Sequence, residues 1–423
     1  MTTEQASALI LAMLLNGGCN DETSPSPEIP EVVAIEANSG ASCAISDEGS
    51  LRCWGNGRYG WFANGSDPTC ASGILSESCI VGDDELPSAA PALDIGGSVR
   101  QVSIGNSHIC AVLQAGTVRC WGEDLGGALL GLQGQTDGVV GDDEPASSMP
   151  VLEIEGEVST VAAGLFHTCV LLTTGAVRCW GLIQEGSELG NPSADILIGD
   201  DERPDALGDV PTHGAVAQLE VQGDRTCVIV EGGRVRCWGG EEALRGVPNP
   251  DYPIAEWDDV PVPVVATDLA MSDFSTCVLD DAGEVWCWGY EYVLGVGETG
   301  TDQVEPALAL RVPVGAPVVE IEGGGRATCA ITDTGGVRCW GEILGHPGLD
   351  EFPGAQTSLI DLGDIDVGGP GKAISVGDDY GGCVLRDSGD VVCWGYTAAH
   401  GHPGVDILGD DEAPSAYGPV EVF

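Results

Sequence analysis

The sequence predicts an all-β fold: a seven-bladed β-propeller of four-stranded blades. Three observations carry this. A hairpin of Cys, nine residues, then Cys-Trp-Gly occurs seven times. It joins Cys43 with Cys53, Cys110 with Cys120, Cys169 with Cys179, Cys227 with Cys237, Cys277 with Cys287, Cys329 with Cys339 and Cys383 with Cys393. The third residue of the loop at the centre of every spacer is glycine: Gly49, Gly116, Gly175, Gly233, Gly283, Gly335 and Gly389. First cysteines recur at intervals of 67, 59, 58, 50, 52 and 54 residues, the scale of one supersecondary unit. Such a unit cannot bury its apolar face alone, so neighbours cover one another and their number sets the fold.

The chain begins with a ten-residue apolar run from Ala6 to Leu15, too short to span a bilayer and the size of a signal-peptide core. It ends in Asn16-Gly17-Gly18-Cys19, which resembles a bacterial lipoprotein signal whose cysteine is lipidated and becomes the new N-terminus. The match departs from that pattern at Asn16, where Leu is usual, and in the absence of Lys or Arg from Met1 to Gln5. Residues 1–18 are expected to be removed and Cys19 to be lipidated. Residues 19–31 follow as a disordered tether, rich in Pro, Ser and acid with nothing to pack. Residues 32–423 form the propeller.

Within each blade a strand such as Val158 to Gly164 leads into the hairpin. The hairpin loop, Asp47-Glu48-Gly49 in the first copy, reads as a type I turn closed by a left-handed residue. Counting outward from the closing pair of Ser46 and Ser50 places Cys43 opposite Cys53 at a non-hydrogen-bonded pair, with Cα atoms about 4.5 Å apart. A disulfide within each repeat is expected. Variable loops and a short extended stretch such as Pro150 to Ile154 complete the unit. The terminal Gly418 to Phe423 repeats that stretch, and Val32 to Glu36 supplies what comes next, so the N- and C-terminal strands are expected to close the ring by sharing a blade.

Seventeen cysteines leave three outside the hairpins. Cys70 and Cys79 flank an insertion in the first repeat and are expected to pair, which leaves Cys19 alone. Paired cysteines at regular spacing imply an oxidising compartment. Each repeat offers two thiols and no regular histidine, too few for zinc.

The net charge is −52, with Lys372 the single lysine. Such a chain would be repelled by phosphate, which excludes nucleic acid and charge-driven membrane binding; a lipid anchor is the membrane contact expected. Four loops carry Gly-Asp-Asp-Glu, at Gly82, Gly141, Gly199 and Gly409. Acids at this spacing suit a hard cation, but Asp also favours turns, and turns are the expectation. His108 and His167 stand two residues before their cysteines, where other repeats carry Ala41, Arg225, Ser275, Ala327 and Gly381. They are read as packing residues. Trp61 and Trp257 lie in long loops outside the regular tryptophan array and are the candidates for partner contact. No nucleophile elbow, P-loop or His-Glu-x-x-His string occurs, so no catalytic residue, metal ligand or cofactor is assigned.

The string Val161-Ala162-Ala163-Gly164-Leu165-Phe166-His167-Thr168-Cys169, followed by Gly175-Ala176-Val177-Arg178-Cys179-Trp180-Gly181, resembles the repeat of the regulator of chromosome condensation family. Its cysteine-paired form is similar to repeats of bacterial secreted proteins and of the crinkly-type receptor ectodomains. The resemblance covers about residues 33–423 and implies the propeller. Fold does not fix function. The reading favoured is a non-enzymatic, monomeric, extracytoplasmic module of the bacterial cell envelope that binds a protein or glycan through its loops, above all those of the first repeats and the Trp61–Glu85 insertion. The alternatives are a guanine-nucleotide exchange factor-like regulator, which the resemblance implies, and a hydrolase with two carboxylates in an acidic cleft.

Lipidation is testable directly. The full chain expressed with its leader should partition into detergent, and Cys19→Ser should move it to the aqueous phase. Unchanged partitioning of the variant refutes the anchor.

Overall fold

Seven antiparallel sheets, one per repeat, are arranged around an axis. The computed structural model describes residues 29–62, 79–134, 138–183, 188–191, 195–241, 244, 258–297, 302–349, 359–378, 380–396 and 398–423. Glu31–Phe423 is one compact unit, separate from Met1–Pro30. The inner strands are Val32–Asn38, Val99–Ile104, Val158–Ala163, Val216–Gln222, Ala266–Met271, Val318–Gly324 and Gly371–Val376. Each hydrogen-bonds to the first strand of its cysteine hairpin. In five blades a two-residue outer strand, such as Val139–Val140, completes the expected four. In the fourth and sixth blades three strands lie among the described residues, and the fifth blade gains an extra pairing at Leu310–Arg311.

The hairpins follow the predicted register. Each first cysteine lies directly opposite its second. All seven hairpin disulfides stay within one repeat, as expected. They join Cys43 with Cys53, Cys110 with Cys120, Cys169 with Cys179, Cys227 with Cys237, Cys277 with Cys287, Cys329 with Cys339 and Cys383 with Cys393. The Cα atoms are 4.0 Å apart in the first and 4.1 Å in the second, closer than the expected spacing. Gly49 takes φ +80°, the left-handed conformation that the loop demands. Its carbonyl then accepts Val99 N–H of the next blade at 2.8 Å. The equivalent bond recurs from Gly116, Gly175, Gly233, Gly283 and Gly335, so the hairpin turns stitch consecutive blades together on one face of the ring.

All seven inner strands share a feature the sequence pattern did not reveal. Each has a register shift at its second residue, for example between Val32 and Ala34 and between Val318 and Glu320. One extra residue there re-aims the side chains that follow. Val32, Val99, Val158, Val216 and Val318 are thereby buried in the blade, while the bulged residues Val33 and Val319 are exposed.

The tryptophan of every Cys-Trp-Gly is fully buried, as expected of core filler. In five of the seven it also makes a directed bond, whereas the Trp340 and Trp394 indole N–H groups are buried without a partner among the described residues. The bonding indole N–H donates to a backbone carbonyl in the loop that follows the third strand of the preceding blade: Trp121 to Trp61 (2.8 Å), Trp180 to Leu129 (3.0 Å), Trp238 to Glu188 (3.1 Å) and Trp288 to Leu244 (2.9 Å). The next glycine lets the chains approach this closely. At Gly122, φ is +111° and a Cβ would lie 2.6 Å from the Ser107 carbonyl.

The same bond crosses the seam, from Trp54 of the first blade to Ala399 of the seventh at 2.8 Å. The N- and C-terminal strands close the ring there. Val420 and Val422 share a buried cluster with Val32, Ala37 and Trp54, and Arg52 donates to the Val422 carbonyl. The two termini occupy adjoining blades and not a single shared one. Val32–Asn38 pairs within the first, whereas Val420 N–H bonds to Val391 of the seventh at 2.8 Å.

Trp288→Phe keeps an aromatic ring at the junction but removes the indole donor. One net hydrogen bond is worth about 1 kcal/mol, so urea unfolding should show a loss of at least that size. A variant as stable as the parent would show that the bond contributes nothing.

Candidate functional site

The two faces of the ring differ. One carries the tight hairpin turns. The other carries the turns from inner to second strand, together with the ends of the third strands, from which the longer loops leave. Three features remain to be weighed: the axial channel, the acidic rim loops and an aromatic cluster on the long-loop face.

The channel follows from the inner strands. Opposite the first cysteines, in ring order, stand Glu36, Ser103, Ala162, Glu220, Ala270, Glu322 and Ser375. Two residues earlier, the strands carry Ala34, Gln101, Thr160, Gln218, Asp268, Glu320 and Ala373. An inner strand is a sheet edge, and its axial N–H and C=O groups lack a strand partner. Side chains of the preceding blade supply one. Ile104 N–H donates to Glu36 (3.4 Å), Ala163 to Ser103 (3.0 Å), Ile321 to Asp268 (3.1 Å), Ile374 to Glu320 (3.1 Å) and Ala37 to Ser375 (2.8 Å). Gln218 donates to both Glu220 and Asp268.

The cavity among these residues measures about 200 Å³, and no lysine or arginine lines it. Enclosure by the channel wall pushes Glu36 up to about 8, against the Ile104 bond and with help from the Glu220 charge. Enclosure also raises Glu220 and holds Glu322 well above the carboxylate range, where the charges of Glu220 and Glu36 add to it. Such a space is below the roughly 300–1,000 Å³ of ligand pockets. Of the three carboxylates that line it, Glu36 accepts from the Ile104 backbone and Glu220 from the Gln218 side chain, and Glu322 has no hydrogen-bonding partner among the described residues.

The Gly-Asp-Asp-Glu strings are turns. Within them Asp84 N–H bonds Asp83 Oδ1, Asp143 N–H bonds Asp142 Oδ1, and Gly199 N–H bonds Glu202 Oε1. The preceding blade docks onto three of them, through Gly404 N–H to the Asp83 carbonyl, Gln133 to Gly199 and Gly348 to Asp410. In each string the three carboxylates come within 4.8 Å of one another, a spacing open to a hard cation.

His108 and His167 are buried, and each Nε2 meets a threonine hydroxyl of the next blade, Thr168 at 2.7 Å and Thr226 at 2.8 Å. Burial lowers both, to about 3 and about 4. They pack between blades, as read from their irregular recurrence.

Trp61 is not a contact residue. It is fully buried, and its carbonyl receives the Trp121 indole. It fills the place that Leu129, Glu188, Leu244 and Ala399 hold under Trp180, Trp238, Trp288 and Trp54. Trp257, Cys19 and Cys70 lie outside the described residues; Cys79 is disulfide-bonded.

The aromatic cluster was missed. It uses two positions per blade: the third residue before the first cysteine, and the residue after Cys-Trp-Gly. In the fifth blade these are Phe274 and Tyr290, with rings edge to face at 5.6 Å. In the seventh they are Tyr380 and Tyr396, at 5.5 Å. Between them, in the sixth, stand Arg326 and Glu342, ion-paired at 3.0 Å. Arg326 also lies 5.2 Å over the Phe274 ring, and Tyr292 sits 5.9 Å from Phe274. Tyr292, Tyr380 and Tyr396 are 39–40% exposed. The visible signal was Cys-Trp-Gly-Tyr, which occurs only in the fifth and seventh repeats.

A disulfide-paired seven-bladed propeller with one decorated face defines the class. Three of its blades, residues 32–60, 99–126 and 158–186, match the regulator of chromosome condensation (RCC1) repeat. It is 26% identical over 234 residues to protein pim1 of Schizosaccharomyces pombe, covering 52% of this chain and 37% of that protein. It is 27% identical over 228 residues to the mitochondrial RCC1 domain-containing protein RUG3 of Arabidopsis thaliana, covering 52% of this chain and 44% of that protein. The matches thus span less than half the length of these relatives. Yeast RCC1 (Prp20), solved bound to Kap60, shares the fold with a TM-score of 0.65 at 17% identity, over 100% of this chain and 89% of that one.

The channel acids make stability depend on pH with a defined sign. Glu36 binds its proton more tightly folded than unfolded, so its contribution is complete below about 4.5 and is lost as pH rises through about 8. His108 and His167 act in the opposite sense, losing stability as pH falls from 6.5 toward 4. Melting temperature should therefore decline from pH 5.5 to 8.5, and Glu36→Gln together with Glu322→Gln should flatten that decline; an unchanged slope refutes the assignment.

Proposed function

We propose that this chain is a non-enzymatic interaction module of the bacterial cell envelope. In this reading residues 1–18 are a leader, Cys19 carries a lipid, residues 19–31 are a tether and residues 32–423 are a monomeric propeller. The long-loop face binds a protein or glycan. The observation that carries the reading is the asymmetry of the ring: the third-strand ends from which the longer loops leave, and a cluster of exposed tyrosines, fall on one face, while tight hairpin turns close the other. A propeller that covers its own sheet edges has no need of a second copy, which supports the monomer. The seven hairpin disulfides suit an oxidising setting outside the cytoplasm. They weigh against a cytoplasmic exchange-factor role, and the small channel weighs against the hydrolase reading.

A photo-crosslinking residue at Tyr396, on the long-loop face, should capture envelope partners in intact cells, and one at Glu48, in a hairpin turn, should not. Capture from Glu48 alone, or from neither, overturns the reading.

A further inference from the structure

We propose that the face over blades five to seven recognises an arginine-bearing segment of a partner protein, laid across the rings of Tyr292, Tyr380 and Tyr396. This rests on the interaction-module reading and names its partner chemistry.

Three observations lead there. The site already holds one guanidinium. Arg326 spans the aromatic pair of the fifth blade and the Glu342 carboxylate, with both Glu342 oxygens within 3.2 Å of its Nη1. A planar cation over a ring, held by a carboxylate, is the arrangement an incoming arginine would meet. Next, exposed ring surface remains on either side of Arg326. Tyr292 and Tyr380 flank it closely enough for both to act on its charge, and Tyr396 packs against Tyr380. Last, the charge around the rings is mostly acidic, with Arg326 over Phe274 and the buried Arg225 near Asp273 as the cations. Glu241 accepts the Tyr290 hydroxyl at 2.9 Å, Asp273 adjoins Phe274, and Asp378 lies two residues before Tyr380. On a chain of net charge −52 this complements a cationic partner. The rings add what charge alone does not: a fixed place and a preference for guanidinium.

The recurrence of the two positions explains how the surface is built. Both lie at the ends of blade strands, on backbone fixed by the disulfide and the tryptophan. The rings are thus held ready before a partner arrives, which lowers the ordering cost of binding.

The test uses the full chain and a fluorescent alternating glycine–arginine octapeptide, with a citrulline counterpart and a cello-oligosaccharide as comparators. At physiological salt the arginine peptide should bind and the citrulline peptide should not. Tyr292→Ala with Tyr380→Ala, both at exposed side chains, should weaken binding about tenfold, from the loss of two cation–π contacts. Asp83→Asn with Asp84→Asn, on the first blade, should leave it unchanged. Matching urea curves confirm that each variant is folded. Equal weakening by both pairs, no weakening by the tyrosine pair, or no peptide binding overturns the proposal. Oligosaccharide binding lost in the tyrosine pair would replace the peptide with a glycan. If the peptide fails while Tyr396 still captures envelope partners, the wider reading stands and this one falls.

Discussion

The fold depends on a buried indole wedged between each blade and the one before it. A propeller blade is a small sheet with two apolar faces and no core of its own. Apolar packing alone would hold neighbours together but would not fix their angle or offset. The Cys-Trp-Gly tryptophan fills every interface with its ring, and in the five junctions made by Trp54, Trp121, Trp180, Trp238 and Trp288 its N–H also reaches one carbonyl. The seam obeys the same rule, with Trp54 reaching Ala399. Closure therefore needs no special device, only the ordinary junction made between the two ends of the chain.

The second constraint lies at the axis. Seven inner edges face one another there, and each must satisfy its backbone without a further strand. The chain uses side chains of the preceding blade as proxies for that strand. Serine and glutamine do so at little cost. Glu36, Asp268 and Glu320 do so as carboxylates, crowded into a space that disfavours their charge. The raised proton affinity of Glu36, Glu220 and Glu322 comes from their burial beside one another, while the Ile104 N–H bond to Glu36 works against it.

Much of this was legible in the sequence. The cysteine spacing, the loop glycine and the repeat count specify blade number, hairpin register and disulfide pairing, because each is a local consequence of turn geometry. The acidic strings form local chain bends, as the Asp residues suggest, with their carboxylates within 4.8 Å of one another. What escaped were features set by contact between repeats. Trp61 looked free because it stands outside the regular array, yet it occupies the docking position beneath Trp121, where other blades use smaller residues. The bulge in each inner strand leaves no mark in composition. The aromatic cluster was hidden because its two positions lie sixteen residues apart in the chain, as in Phe274 and Tyr290, and meet only when the hairpin folds.

Those two positions have an evolutionary consequence. Across the seven blades they read Gly40 with Asn56, Ser107 with Glu123, Phe166 with Leu182, Asp224 with Gly240, Phe274 with Tyr290, Arg326 with Glu342 and Tyr380 with Tyr396. The flanking Cys-Trp-Gly is invariant, while these neighbours range over small, acidic, basic, aliphatic and aromatic types. Where they are exposed, as at Tyr380 and Tyr396, they act as addresses on a frame that the Cys-Trp-Gly junctions hold, whereas Gly40 and Ser107 are buried within it. Point substitution at these addresses could retune a partner blade by blade, leaving the junctions untouched. Selection for a new ligand and selection for folding would then act on separate letters of the same short repeat.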